Sequence, residues 1–389
     1  MVALFRSRRK FMRAVLAGAA ALGLAACEPM SVGGFDGGRM GASDPVEVAL
    51  LVPQTGSAAG LAGSLENAAR LAISDLSGVE IQLAVYDTGG TADGAAAAAR
   101  AAASDGAKVI LGPVFADAAA AAGAAVRGRG LNVLSFSNNP AVAGGNVYIL
   151  GSTFQNTADR LASYAARQGI TSVAIVQGES TAESIGAAAI SRALATNGVR
   201  LATTASFPLS QNGIVSAVPG IADQINASGA TGVFLTSGND GALPFLVELL
   251  PNEGVSNATH QLIGLQRLDI PSTAVDLSGL QGAWFATPDP GLQAQFSSRY
   301  QGAFGFAPHP LAGLAYDGIA AIGALATTGS STPFDTASLT RPTGFAGVNG
   351  VFRLNQNGTN TRGLAVAQIQ NRQVVILDPA QRSFGGAGF

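Results

Sequence analysis

From Val46 onward, short β-branched runs alternate with segments whose apolar residues recur every three or four positions. That alternation limits the chain to helices packed on a mostly parallel sheet. The run 46–52 is apolar almost throughout, as a strand buried on both faces must be, and Pro53 ends it. Leu61, Leu65, Ala68, Ala69, Ala72, Ile73 and Leu76 then predict an amphipathic helix. Strands follow at 81–86, 108–111 and 131–135, with helices at 94–104 and 117–127 between them. Connections of this kind are right-handed almost without exception. The pattern restarts with a helix at 156–168. Strands at 172–176, 200–206, 232–235 and 261–264 predict a second sheet of similar size. A third stretch begins at 283–285 and carries helices near 292–304 and 311–325. The tail has strand-like runs at 350–354, 364–370 and 374–377, with a turn signal at Asn357-Gly358, and predicts an antiparallel addition to a sheet.

The first 26 residues have a different character. Arg6, Arg8, Arg9, Lys10 and Arg13 precede an uncharged run rich in Ala and Leu from Val15 to Ala26. The run is too short to span a bilayer comfortably and has the layout of an export signal. Cys27, the single cysteine, follows Leu24-Ala25-Ala26 directly. Residues 28–45 are rich in Gly, Ser and Pro, which predicts a flexible tether. The whole chain has a formal charge of −2, but without the signal 17 basic and 24 acidic residues leave −7. An acidic chain cannot neutralise phosphates, so nucleic-acid binding is excluded.

Catalytic and cofactor signatures are weak. The loop after the first strand, Val52 to Ser57, has no glycine fingerprint for a dinucleotide, and of the two lysines Lys10 lies in the signal. One Cys and two His leave no material for a metal site or for redox chemistry. Gly178-Glu179-Ser180-Thr181-Ala182 loosely follows a nucleophile elbow without its last glycine, and His260 and His309 both read as surface residues. Asp87, Asp117 and Asp240 fall near strand ends, where carboxylates usually cap helices. The expectation is a binding protein with no catalytic residues, cofactor or metal.

In open α/β sheets ligands bind outside the carboxyl ends of the strands. Those positions hold Gln54, Thr55 and Ser57, Asp87 and Thr88, Phe115 to Asp117, Ser135 to Asn139, Ser237 to Asp240, and Gln266. Most are neutral hydrogen-bonding groups, with Phe115 and Phe136 as the aromatic rings.

Several of these segments resemble one family in order and spacing: 48–53, 86–88, 106–113, 316–320, and 348–354 followed by Asn357-Gly358. Over roughly residues 46–377 the chain resembles type I periplasmic binding proteins of the leucine-binding group. The resemblance implies an α/β fold of two Rossmann-like lobes with parallel sheets, joined by three crossings and closing on a ligand by hinge motion. It implies one lobe from about 46–152 and 287–346, and another from 153–286 and 347–389. Residue by residue, Ala116 takes the place of the hydroxyl that holds a ligand carboxylate. Asn139, after Ser137 and Asn138, takes that of a threonine; Gln266 replaces the acid that grips an ammonium, and Gly238 the aromatic of the second lobe. Gln54, Thr55, Phe115, Ala116, Ser137, Asn139, Gly238 and Gln266 are thus the cleft candidates, and a free α-amino acid is a poor ligand. Leu24 to Cys27 resembles a bacterial lipobox, which implies lipidation of Cys27 and a membrane anchor through that lipid. Glu28, in place of the inner-membrane retention signal Asp, implies the outer membrane. These features are similar to penicillin-binding protein activators, periplasmic lipoproteins that regulate a peptidoglycan synthase. The other expectation is a substrate-binding protein that delivers an amino acid, amide or short peptide to an ABC permease.

Overall fold

The computed structural model describes residues 45–385. The expected export signal, Cys27 and nearly all of the expected tether lie outside the described residues. The described residues form one compact unit. Its first sheet runs β2 (Ile81–Asp87), β1 (Val46–Val52), β3 (Val109–Leu111), β4 (Val133–Ser135), β5 (Val147–Ile149), with every neighbouring pair parallel. The helices α1 (Ala59–Asp75), α2 (Ala92–Ser104) and α3 (Ala116–Val126) connect these strands. The apolar run of β1 now has a reason. Val48, Leu50 and Val52 face one core with α1, while Ala49 and Leu51 face another against α2 and α3. Burying a Leu or Val of this kind stabilises the fold by about 1.5–3 kcal/mol. The α2–α3 side is built from Ala95, Ala98, Ala99, Ala118, Ala119 and Ala122, whose small side chains let the two helices approach closely.

The second lobe contains α4 (Phe154–Arg167), β6 (Ser172–Gly178), α5 (Thr181–Thr196), β7 (Arg200–Phe207), α6 (Gln211–Ser228), β8 (Gly232–Leu235), α7 (Leu243–Leu249), β9 (Gln261–Gly264) and β10 (Trp284–Thr287). Its five parallel strands are extended by two antiparallel ones, β14 (Ala365–Gln370) and β15 (Gln373–Asp378). The sheet order is β15-β14-β10-β9-β8-β6-β7. The chain returns to the first lobe through α8 (Pro290–Phe304), α9 (Ala312–Ala326) and α10 (Thr336–Leu339). A three-stranded antiparallel sheet follows: β11 (Phe345–Gly347), β12 (Gly350–Leu354) and β13 (Asn360–Arg362).

This small sheet departs from the sequence reading, which assigned 347–389 to the second lobe. Phe345, Phe352 and Leu354 pack into the first lobe's core beside Ile319 and Ile322 of α9, so the third crossing falls at 362–364. The alternation along 350–354 buries Phe352 and Leu354 on one side, and their partners are in the first lobe. The three-residue strands β5, β11 and β13 are too short to leave a periodic signal. Asn357-Gly358 lies in the longer loop between β12 and β13. The two-residue hairpin is Asn371-Arg372, both at positive φ, joining β14 to β15.

The crossings decide which ends of the sheets meet. The first leaves the carboxyl end of β5 for the start of α4, and the second leaves the carboxyl end of β10 for the start of α8. The third enters β14, which runs antiparallel to β10. All three therefore leave or enter at the carboxyl edge of a parallel sheet, which puts both carboxyl edges on the side of the crossings. Buried hydrogen bonds tie the first and third crossings to one another. Asn360 Nδ2 donates to the carbonyls of Ile149 and Gly151, and Asn156 Nδ2 to that of Asn360. Arg362, its side chain 2% exposed, donates to Leu150 O and pairs with the fully buried Asp317 of α9.

Candidate functional site

On the first lobe the loop after β1 is organised by Asp87 at the end of β2. Its carboxylate accepts from the N–H of Gln54 at 2.8 Å, the N–H of Thr55 at 3.3 Å, the Thr55 hydroxyl at 2.7 Å and the Gly89 N–H at 2.8 Å. The Gly89 N–H and the Thr55 hydroxyl hold this carboxyl below its ordinary value. Gln54 and Thr55 are both exposed. Gly112, at the end of β3, has φ 93°, and a Cβ there would sit 2.2 Å from Leu51 O, so the chain passes close to β1 only with glycine. Phe115 is the N-cap residue of α3, 39% exposed, with its ring beside Gly90. Ala116 is the first residue of that helix and brings no polar group.

After β4 the chain turns on its own side chains. Ser135 Oγ donates to Pro113 O, and Ser137 Oγ accepts from the N–H of Asn139. Asn139 Oδ1 accepts from Ala141 N–H and caps the short turn that follows. Gly151 of the first crossing donates its N–H to Ser137 O, so this loop is continuous with the hinge.

On the second lobe Gln266 and Gly238 come together. Gln266 Nε2 donates to Thr236 O at 3.0 Å, and its Oε1 lies where a Cβ on Gly238 would be only 2.7 Å away. An aromatic side chain at 238 has no room while Gln266 holds this position. The sequence reading missed Glu183, which the fold brings to the carboxyl ends of β6 and β8. Its Oε2 accepts from Gly178 N–H, from the Thr236 hydroxyl at 2.7 Å and from the Ser237 hydroxyl at 2.8 Å. The available signal was the capping-box spacing Ser180-x-x-Glu183. Ser180 does cap α5, accepting from Glu183 N–H, which is the role of the serine in the elbow-like segment. Asp240 lies beside Gly238, and Asn239 Nδ2 is tied to the carbonyls of Arg267, Leu268 and Ile270.

Neither histidine joins this edge. The ring of His309 accepts from Leu311 N–H at the entry to α9, and burial lowers the pKa of both His260 and His309, which keeps them neutral near pH 7. Among the described residues no cluster of three or more His, Cys, Asp or Glu side chains could hold a metal, and no helix is long and apolar enough to cross a membrane.

The architecture is two-lobed, and comparison with known proteins agrees. The family described as periplasmic binding protein matches residues 45–373. No curated protein sequence resembles the chain closely enough to count as a match. Solved structures share the fold. A protein of Rhodospirillum rubrum described as a branched-chain amino acid ABC transporter aligns with TM-score 0.74 and 19% identity, over 86% of this chain and all of that one. A Desulfitobacterium hafniense substrate-binding protein in complex with Leu aligns with TM-score 0.64 and 17% identity, over 86% and 100% of the two chains. A Rhodopseudomonas palustris solute-binding protein in complex with 3,4-dihydroxybenzoic acid gives 0.59 and 16%, over 88% and 97%. The chain is a non-catalytic member of the periplasmic binding protein family.

Proposed function

We propose that the chain is the solute-binding component of an ABC importer and holds a small polar ligand between its lobes. Glu183 is the observation that carries this reading. Three donors converge on Oε2 and fix the carboxylate at the edge that faces the first lobe, leaving Oε1 to accept from a ligand's ammonium or amide N–H. This carboxylate supplies the counter-charge that Gln266 lacks, and it bears on the expectation that an amino acid is a poor ligand. The first lobe offers the Asn139 amide and Gln54 for hydrogen bonds and the exposed Phe115 ring for an apolar part. Ala116 supplies no hydroxyl for a carboxylate, so amines and amides suit the cleft better than zwitterions. The leucine and dihydroxybenzoate complexes of similarly folded proteins support a small ligand in such a cleft. A thermal-shift screen of amino acids, amides, amines and aromatic acids tests it. A saturable rise in Tm for a nitrogen donor supports the reading. A flat screen, with no shift that Glu183→Gln abolishes, contradicts it.

A second reading is a lipid-anchored regulator of a peptidoglycan synthase. It is favoured by how far the edge groups satisfy one another: Thr55 with Asp87, Ser137 with Asn139, Gln266 with Thr236. The lipid on Cys27 and the outer-membrane destination belong to this reading. Co-purification of a penicillin-binding protein together with a flat ligand screen supports it. Loss of that co-purification is not expected from Glu183→Gln, which separates the two readings.

A further inference from the structure

The chain continues past β15, and its tail is pinned at the root. Asp378 closes that strand on the second lobe, where Arg160 and Arg167 of α4 both pair with its carboxylate. Arg160 also holds the backbone around it. Its Nη2 donates to the carbonyls of Asp378 at 3.2 Å and Pro379 at 3.3 Å, and its Nε to that of Leu364 on the third crossing. Ala380 follows, buried at 8% exposure.

The next four residues reach the first lobe. β12 turns Phe352 and Leu354 into that lobe's core, which leaves Val351 and Arg353 on its outer face. Gly363, whose N–H donates to Val351 O, sits beside them. A Cβ on Gly363 would lie 2.9 Å from Gln381 O and 2.9 Å from a Val351 methyl, so the absent side chain makes the seat for the tail's backbone. Phe384 then meets Arg353, with the guanidinium carbon 5.0 Å from the ring centroid. Arg353 Nε is shut off from solvent and has no hydrogen-bond partner among the described residues. Chain ends fray unless something ties them down, and this one is tied to a different lobe at each end of the segment.

We infer that residues 380–384 are a strap across the hinge, a noncovalent link between the lobes in addition to the three chain crossings. It holds the ligand-free protein in the arrangement that seats Phe384 on Arg353. Rotation of one lobe about the crossings carries Arg353 away from a tail whose root stays on α4, so the strap must slide or lift. Every other arrangement therefore loses these contacts, and a ligand that needs one must release the strap first. The inference rests on the receptor reading only in that the lobes move about their crossings.

The test uses the full chain with Cys27→Ala and spin labels at Ala101→Cys of α2 and Ala195→Cys of α5, two exposed positions on different lobes. Pulsed EPR then reads the distance distribution between the lobes without ligand. Phe384→Ala, and a chain ending at Ala380, should each shift the populations at least about twofold away from the wild-type distance, the effect of losing one cation–π contact. A chain ending at Gly385 should keep the wild-type distribution. So should Arg382→Ala, which alters an exposed side chain between the two contacts. An unchanged distribution in both Phe384→Ala and the chain ending at Ala380 overturns the inference. An equal shift in Arg382→Ala overturns it too, because the contact with Arg353 would then not be the cause. A Phe384→Ala protein without a cooperative thermal transition also overturns it, since the segment would then belong to the core. No ligand enters this measurement, so a flat ligand screen leaves its result standing, and an unchanged distribution leaves the ligand reading standing.

Discussion

Asp317→Asn should be among the most damaging isosteric substitutions in this chain. Asp317 has no exposed surface, and its carboxylate accepts from the N–H of Asn349 at 3.3 Å, from Asn349 Nδ2 at 3.0 Å and from Arg362 Nη1 at 3.2 Å. Arg362 is nearly as enclosed: its Nε donates to Leu150 O at 2.9 Å, and its guanidinium lies over the Phe352 ring. Burial pushes the Asp317 carboxyl above the ordinary carboxylate range even with Arg362 opposite, so both charges are held out of water and depend on each other. Removing the acid leaves a buried guanidinium without a counter-charge, which costs about 3–5 kcal/mol. Replacing both, Asp317→Leu with Arg362→Met, removes the stranded charge. It leaves Leu150 O and the Asn349 amide unpaired, at about 1–3 kcal/mol each. The assay is urea unfolding of the wild type and Asp317→Asn, and of Asp317→Leu, Arg362→Met and their double read as a thermodynamic cycle. A coupling of at least about 1 kcal/mol is expected between the two positions. A loss below about 1 kcal/mol for Asp317→Asn, or singles that simply add, would refute the argument that this pair ties α9 to the crossings.

Other expectations follow from the same contacts. Gly112→Ala should lose at least about 2 kcal/mol in the same assay, because it combines a left-handed φ with a 2.2 Å approach to Leu51 O. A loss under half that would show that β1 and β3 can separate freely. Asp87 has a lowered pKa in the fold, so its contribution is full above the ordinary value of 3.8 and is lost as pH falls through the lowered one. The stability gap between the wild type and Asp87→Asn should therefore narrow in acid, measured by thermal unfolding across pH, and a gap that widens would reverse the sign. Asp317 runs the other way. Its raised pKa should make stability fall as pH climbs from 3.8 toward the folded value, a component that Asp317→Asn abolishes.

Much of the architecture was legible because parallel strands buried on both faces leave long apolar runs, and β1 is such a run. Strand β9 was placed at 261–264 from sequence and occupies Gln261–Gly264 in the structure. What escaped was set by contacts remote in sequence. The lobe to which 347–362 belongs depends on Phe352 and Leu354 meeting α9, and no local pattern says which core a half-apolar strand will join. Sequence could not show that Gln266 fills the space above Gly238. Glu183 was invisible as a site residue for the same reason. It lies one turn into a helix, and only the fold sets it against Thr236 and Ser237, more than fifty positions along the chain.

The proposed ligand cleft between the lobes has Glu183 as its fixed acceptor. Titration calorimetry measures it most directly, comparing wild type with Glu183→Gln against the amine or amide that gives the largest thermal shift. A charge-assisted hydrogen bond contributes about 1.5–3 kcal/mol, so the variant should bind about 10- to 100-fold more weakly. Equal affinity for the two proteins, or no measurable heat with any nitrogen donor, would contradict the account.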